Sequence, residues 1–296
     1  MTMRMKRTTV SSQDEDLPIS SVAERLLAST AIKIELPPSQ HRLAIERKAA
    51  VEKHLQRDGS PLRNLIRLFY QQGSMAIGAT IKARYRDEGF DIDLIVELMV
   101  AASISPAEAL DLLYAAVRGE PGSLYYDCTE RQTRCVTIHY ADGMHLDLTP
   151  ALLIDENDPR FSVIFHSKPE ERRSNDMRIP TNSYAFADEY NSRCPVDQLF
   201  AEEYGRRVRA ADPELFRIMA DADSLPVPEH STTVGGKSAV TVAHQLIKRN
   251  RNIRYHSRSG RMPPSAMLAC LALEVAQAGR SIGETLWTIA INPATK

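Results

Sequence analysis

The 296-residue sequence predicts an α+β fold: a long N-terminal helix backs a small mixed sheet, and a lobe of helices follows. Three observations predict it. Gln40 to Gln56 carries Leu43, Ala44, Ala49, Ala50 and Leu55 among many charges, with neither Gly nor Pro, which suits an amphipathic helix. Between Asp91 and Leu148, short β-branched and apolar runs are separated by turn residues. Beyond Thr181 the apolar residues fall three or four apart, the helical period. A single core stops growing near roughly 250–300 residues, so a chain of this length favours two lobes. The expected division is a disordered or loosely ordered lead-in over residues 1–35, a sheet-bearing core with its spine helix over 36–180, and a helical lobe over 181–296.

Asp58-Gly59-Ser60-Pro61 ends the spine helix, and Leu62 to Tyr70 forms a second apolar-periodic segment running into Gly73-Ser74. Met75 to Ile81 is expected to start a helix. Asp91 to Leu98 reads as a strand, bounded upstream by Asp87, Glu88 and Gly89, and Pro106 opens a helix through about Val117. Leu124 to Asp127, Gln132 to Tyr140 and Met144 to Leu148 read as further strands. The last two join at Ala141-Asp142-Gly143, where Asp-Gly signals a hairpin, with Asp142 and later Asp155 as turn residues. Pro159 to Pro180 is polar and charge-dense around Lys168 to Arg173, and reads as an irregular, extended connection between lobes. Helices are then expected at Tyr184 to Asn191, Val196 to Ala210, Glu214 to Ala220, Ser238 to Asn250 and Ser265 to Ala278. They are separated by Pro213, Pro226, Pro228, Gly235, Gly236, Pro263 and Pro264.

Composition narrows the functions available. Hydrophobic residues make up 43% of the chain and charged residues 25%, as in soluble globular proteins. A formal net charge of -1 supplies no global positive field, which argues against coating a nucleic-acid duplex. No apolar run approaches the roughly 20 residues that span a bilayer. The N-terminal segment has basic residues without an apolar stretch behind them, unlike a signal peptide. Four scattered cysteines without metal-ligand spacing read as reduced thiols, so a cytoplasmic protein without membrane partners is expected.

The chemistry lies in three carboxylates and a turn. Side chains alternate along a strand, so Asp91 and Asp93 project to one face while Ile92 and Leu94 enter the core. Like charges that close repel unless a cation sits between them, and Mg2+, with Mn2+ as its substitute, suits carboxylate and phosphate oxygens. Asp147, between Leu146 and Leu148, supplies a third carboxylate. Gly73-Ser74 lets backbone approach a phosphate closely. Gly-Ser alone is nearly uninformative, and Asp-x-Asp alone is commonly a solvated acidic face. Their order along the chain, followed by a further strand aspartate, carries the signal.

In that order the residues resemble the polymerase-β-like nucleotidyltransferases. The long spacer between Ser74 and Asp91, the segment Ile179 to Ala187, and Gln245 to Arg251 followed by Pro264-Ser265 resemble the bacterial CD-NTases, relatives of cyclic GMP-AMP synthase. The resemblance covers about Gln40 to Ala278. It implies a polymerase-β-like core plus a helical-bundle lobe, with a nucleoside triphosphate bound in a cleft. It also implies a two-metal nucleotidyltransferase that makes a cyclic oligonucleotide, a cyclic dinucleotide above all, as an anti-phage second messenger. Asp91, Asp93 and Asp147 would be both catalytic and metal-ligating. Gly73 and Ser74 would hold the donor triphosphate, Lys248 and Ser265 would reach it from the helical lobe, and Asn182 would lie near the acceptor nucleotide. ATP, GTP or pyrimidine nucleotides are the implied substrates, a signalling effector acts through the product, and a monomeric chain is expected. Ala266 stands where relatives carry an aromatic base platform, so the resemblance names no stacking residue. The absence of a cysteine cluster like the animal enzyme's zinc ribbon argues against stable binding to long duplex DNA.

Plainer readings stand beside these. Seven basic residues and no acid lie between Lys237 and Met262, namely Lys237, Lys248, Arg249, Arg251, Arg254, Arg258 and Arg261: a solvated helix face, or a phosphate-binding wall. Tyr125, Tyr126, Tyr184, Phe186 and Tyr190 fit core positions better than base-stacking ones, and His145 fits a hydrogen-bonded structural histidine better than a group behind a metal ligand. A one-step transferase acting on an RNA end, a protein or a small molecule, and a catalytically silent nucleotide-binding module, are the alternative functions.

Overall fold

A computed structural model describes residues 18–84, 90–155, 160–170, 173–194, 196–224, 236–258 and 260–291. Asp87, Glu88, Gly89, Pro159, Pro226, Pro228 and Gly235, used above as boundaries, lie outside them, as do residues 1–17 of the expected lead-in. The described residues divide between two compact units. One carries every strand together with the helices between residues 35 and 192; the other carries residues up to Ile34 and the helices from Arg193 onward.

In the first unit, α2 (Pro38–Leu55) starts at a proline that needs no amide partner and buries Ala44, Val51 and Leu55, spaced by helical turns. The sheet follows in the order β1 (Ile66–Gln71), β2 (Phe90–Leu98), β5 (Met144–Asp155), β4 (Val136–His139), β3 (Thr129–Arg131), with β6 (Phe161–His166) on β5 and β7 (Met177–Thr181) on β6. Among the described strands only β2 and β5 pair in parallel. Ile92, Leu94 and Val96 of β2, Leu146 and Leu148 of β5, and Val136 and Ile138 of β4 make one apolar face. α2 and α4 (Pro106–Arg118) cover it with Leu55, Leu113, Ala116 and Val117. Each such aliphatic side chain contributes about 1.5–3 kcal/mol when fully buried. A reciprocal Ser105–Glu108 capping box starts α4, and the expected Asp142-Gly143 turn joins β4 to β5, with Gly143 at φ 85°. Arg47 of α2 grips Asp142 through two 2.9 Å hydrogen bonds and so ties the spine helix to that turn.

Four sequence expectations give way here. Leu124 to Asp127 is a turn rather than a strand: the Tyr125 carbonyl accepts from Thr129 Oγ1 at 2.6 Å, and the Tyr125 ring is edge-on to His54 and Tyr140. The apolar signal there marked core rather than sheet. The tract from Pro159 to Pro180 is not an irregular connection, because it contains β6 and β7, and the charge-dense Lys168 to Arg173 falls between the two strands. β5 runs past Pro150 to Asp155. Pro150 falls where β4 pairing ends at Leu148 and β6 pairing begins at Ala151, a stretch that asks for no ladder donor on that side. The helix expected from Met75 stops after one turn, α3 (Gly73–Ala76), since Gly78 at φ 62° turns the chain away.

Residues 22–34 of the expected lead-in are corrected as well. α1 (Val22–Ile34) is an ordered helix of the second unit, burying Ala28 and Ala31 with Phe200, Tyr204, Val242 and Ile282. That unit also holds α6 (Gln198–Ala211), α7 (Pro213–Ser224), α8 (Ala239–Tyr255), α9 (Ser265–Glu274) and α10 (Ile282–Ile291), the last not anticipated from sequence. α5 (Ser183–Arg193), expected to open the helical lobe, belongs up to Ser192 with the sheet. Among the described residues no helix is long and apolar enough to cross a membrane.

Candidate active site

The parallel pairing of β2 and β5 sets Asp93 opposite Asp147 and Asp91 opposite His145, on the sheet face away from the helix-backed core. Alternation places all four on one side while Ile92, Leu94, Leu146 and Leu148 fill the other. Thr137 of β4 is paired with Asp147, and its Oγ1 donates to Asp147 Oδ1 at 2.5 Å. The same face continues along β2 to Glu97, which is fully buried and whose Oε1 meets Arg160 at 3.3 Å and Arg67 at 3.7 Å. Glu97 is thus neutralised by cations, whereas Asp91 is 62% exposed.

Gly73 sits directly against Asp93. Its φ is 64°, and a Cβ built there would lie 2.5 Å from Asp93 Oδ2. The Gln72 amide donates to the Asp93 carbonyl at 2.9 Å, which joins the end of β1 to the middle of β2. Only glycine fits this position, on both backbone and steric grounds. Ser74 follows, its carbonyl accepting from the Ala79 amide at 2.9 Å and its Oγ from Thr80 Oγ1 at 3.4 Å, so the turn folds back on itself.

A second row runs beside the first. His145 Nδ1 lies 3.5 Å from Asp91 Oδ1, the His145 ring meets His139 edge-on at 4.8 Å, and His139 Nε2 lies 2.9 Å from Glu130 Oε2. Nearby, burial and then the Asp147 carboxylate push the Cys135 thiol up to about 12. Among the described residues no three His, Cys, Asp or Glu side chains are already closed around an ion-sized point. The carboxylates share a face without forming a finished shell.

The remaining sequence candidates lie elsewhere. Asn182 Oδ1 accepts from the Ala185 amide at 3.0 Å, a cap on α5. Lys248 and Ser265 belong to the helical unit, on α8 and at the first residue of α9. Within that unit Arg251 donates to Ser265 Oγ at 3.0 Å. The basic run splits: Lys237, Arg249 and Arg251 are buried, while Arg254, Arg258 and Arg261 are exposed. Tyr125 and Tyr190 are buried as expected of core residues, and Tyr184 packs edge-on to Tyr70. Sequence reasoning did not single out Thr137, or Arg251 as the partner of Ser265. Only strand register exposes the first, and the second was one arginine among several.

A mixed sheet backed by two helices, with an Asp-x-Asp strand beside a third aspartate and a Gly-Ser turn against it, places the chain among nucleotidyltransferases of the polymerase-β-like fold. Comparison with known proteins narrows this. Residues 24–163 match the family described as Second Messenger Oligonucleotide or Dinucleotide Synthetase domain, SMODS. Cyclic dinucleotide synthase CdnG of Bradyrhizobium diazoefficiens is 40% identical over 287 residues, 95% of this chain and 67% of that protein. A c-di-GMP synthase of Roseivirga ehrenbergii is 24% identical over 271 residues, 88% of this chain and 63% of that protein. The solved structure of B. diazoefficiens CdnG in complex with GTP superposes with a TM-score of 0.74 at 37% identity, covering 92% of this chain and 76% of that one. The chain belongs to the bacterial CD-NTase family, and it spans about two thirds of the length of these two sequence relatives.

Proposed function

We propose that this chain is a cyclic dinucleotide synthase that takes GTP as at least one substrate. A ribose hydroxyl oxygen of one nucleotide attacks the α-phosphorus of another, the bond to the β-phosphate oxygen breaks, and pyrophosphate leaves. A second in-line transfer closes the ring. The observation that carries this is the register of Asp93 against Asp147 with Gly73 packed on Asp93, in a chain of this family. The GTP complex of the 37% identical relative supports the choice of base.

The donor set fits magnesium, since carboxylate oxygens on neighbouring strands are hard ligands. Asp91, Asp93 and Asp147 would hold the ion, with manganese as substitute; when bound it would acidify the attacking hydroxyl and neutralise charge on the leaving pyrophosphate. The chain's own contribution is placement. Gly73 and Ser74 contribute backbone and hydroxyl to the donor triphosphate, Lys248 contributes a point charge and Ser265 a hydroxyl donor, and Asn182 lies near the acceptor. The product would signal to an effector in anti-phage defence.

Mass spectrometry of products from a four-nucleotide mixture with magnesium tests the reading. A phosphatase-resistant cyclic dinucleotide containing guanine is expected. Asp93→Asn and Asp147→Asn should each lower its yield about a hundred- to a thousand-fold, as removal of a key electrostatic group does. Products that lose a terminal phosphate completely would identify a one-step transferase instead, and unchanged yields from the variants would remove the aspartates from the site.

A further inference from the structure

Arg251 is a buried arginine of α8 whose guanidinium is held by three neighbouring residues. Its NH1 donates to the Pro263 carbonyl at 2.9 Å and to Ser265 Oγ at 3.0 Å, while Nε and NH2 both donate to Asn252 Oδ1, at 3.1 and 2.8 Å. A guanidinium has five N–H donors and no acceptor, so four of the five are committed, and in the bond to Ser265 the hydroxyl oxygen can only be the acceptor. The hydroxyl proton therefore has to point to some other acceptor. A positive charge on the oxygen side also makes that proton a stronger donor toward an anion.

The same guanidinium ties two segments together. Pro263 and Ser265 flank Pro264, the N-cap of α9, which has no side chain to bond the first amides of that helix. Arg251 supplies the missing fixation from α8, bonding the backbone before the cap and the side chain after it. On α8, Lys248 precedes Arg251 by three residues and His244 by seven, so the three line one helix face. The depressed pKa of His244, held near 3 by burial first and then by the charges of Lys248 and Arg251, agrees with that shared face.

We propose that Arg251 is a positioning residue for the triphosphate grip: it holds Ser265 so that the hydroxyl proton is presented to a phosphate oxygen on the side of Lys248. This rests on the reading that Ser265 contacts the triphosphate. Lysine cannot replace the fork, because a single ammonium on a flexible stem cannot reach Asn252, Pro263 and Ser265 in one rigid geometry.

A double-mutant cycle on the full chain, with GTP as the varied substrate, tests it. Ser265→Ala should raise KM for GTP about ten-fold, the scale of losing one hydrogen bond to a charged group, with kcat changed less than about three-fold. Arg251→Met should raise KM by a similar factor, and Arg251→Met in the Ser265→Ala background should add less than about three-fold more. Arg251→Lys, which keeps the charge, should behave like Arg251→Met, and it decides the matter if the methionine variant does not fold. A Ser265→Ala variant with unchanged KM would remove Ser265 from the triphosphate, and with it this proposal. A raised KM for Ser265→Ala combined with multiplying effects in the double variant, or with unaltered KM in Arg251→Lys, would leave the serine contact standing and overturn the positioning by Arg251.

Discussion

Thr137 Oγ1 donates to Asp147 Oδ1 across the β4–β5 pairing at 2.5 Å, and Thr137 is 5% exposed. A carboxylate on a strand still has two free torsions, so this bond restrains the Asp147 carboxylate on the face it shares with Asp93. Residues that orient a metal-holding carboxylate typically change metal affinity about 10- to 100-fold when removed. Thr137→Val keeps the shape and deletes the donor. Magnesium titration of product formation should show the half-saturating concentration rising by about that factor in Thr137→Val, with Thr137→Ser near the parent. Manganese binding followed by electron paramagnetic resonance should weaken in parallel. Equal metal requirements in all three proteins would separate Thr137 from the site.

Gly73 and Gly78 form a matched pair for separating strain from displacement. Both have positive φ, 64° and 62°, but a Cβ at Gly73 meets Asp93 Oδ2 at 2.5 Å whereas one at Gly78 meets nothing within 4 Å. Each substitution by alanine stores about 1–3 kcal/mol of backbone strain. Thermal unfolding should therefore show a similar drop of a few degrees in both. Product formation should fall about a hundred-fold in Gly73→Ala, where Asp93 is pushed off its position, and only slightly in Gly78→Ala. If the two variants lose activity equally, the contact between Gly73 and Asp93 is incidental.

The legible part of this protein was the part written in local periods. Asp91 and Asp93 could be assigned to one face of their strand, and Asp147 to the face away from Leu146 and Leu148 on its own, because alternation needs only neighbouring residues, and Asp142-Gly143 announced its hairpin through backbone chemistry. What stayed hidden was non-local. Nothing near Asp147 states that its strand lies parallel to β2, or that Asp93 and not Asp91 is its partner, since strand order is decided by pairing across 54 positions of chain. β6 and β7 were masked by the charge-dense link between them. α1 was missed because the buried face of an alanine-bearing helix carries little hydrophobic signal, its buried apolar residues being Ala28, Ala31 and Ile34.

α1 also makes a long-range connection that fixes the start of α10. Glu24 is 8% exposed, and its two carboxylate oxygens accept from the Ile282 amide at 3.1 Å and the Gly283 amide at 2.8 Å, at the N-terminus of α10. Position 283 is glycine for the same reason, since a Cβ there would meet Glu24 Oε1 at 2.8 Å. Charge-assisted hydrogen bonds at a helix N-terminus contribute about 1.5–3 kcal/mol in total when partly buried. Glu24→Ala should lower the midpoint of thermal unfolding by several degrees, and Glu24→Gln, which keeps acceptor oxygen but loses the charge, by less. A midpoint unmoved in both would mean that α10 is held by its apolar face alone.

His244 makes the helical unit sensitive to acid. Burial, reinforced by Lys248 and Arg251, holds its folded pKa at about 3, whereas an unfolded histidine titrates near 6.5. Between those values the unfolded chain binds a proton that the folded chain refuses, so stability rises with pH across the window and is lost as pH falls from about 6.5 toward 3. The slope approaches about 1.4 kcal/mol per pH unit well inside the window, which amounts to roughly 2 kcal/mol between pH 6.5 and pH 5. His244→Gln removes the titrating group while keeping a polar side chain. Unfolding midpoints measured from pH 7.5 to pH 5 should fall more steeply in the parent than in the variant, and the two curves should run parallel above pH 7. Parallel curves through the whole range would show that His244 takes up its proton without cost in the fold and that the acid sensitivity lies elsewhere.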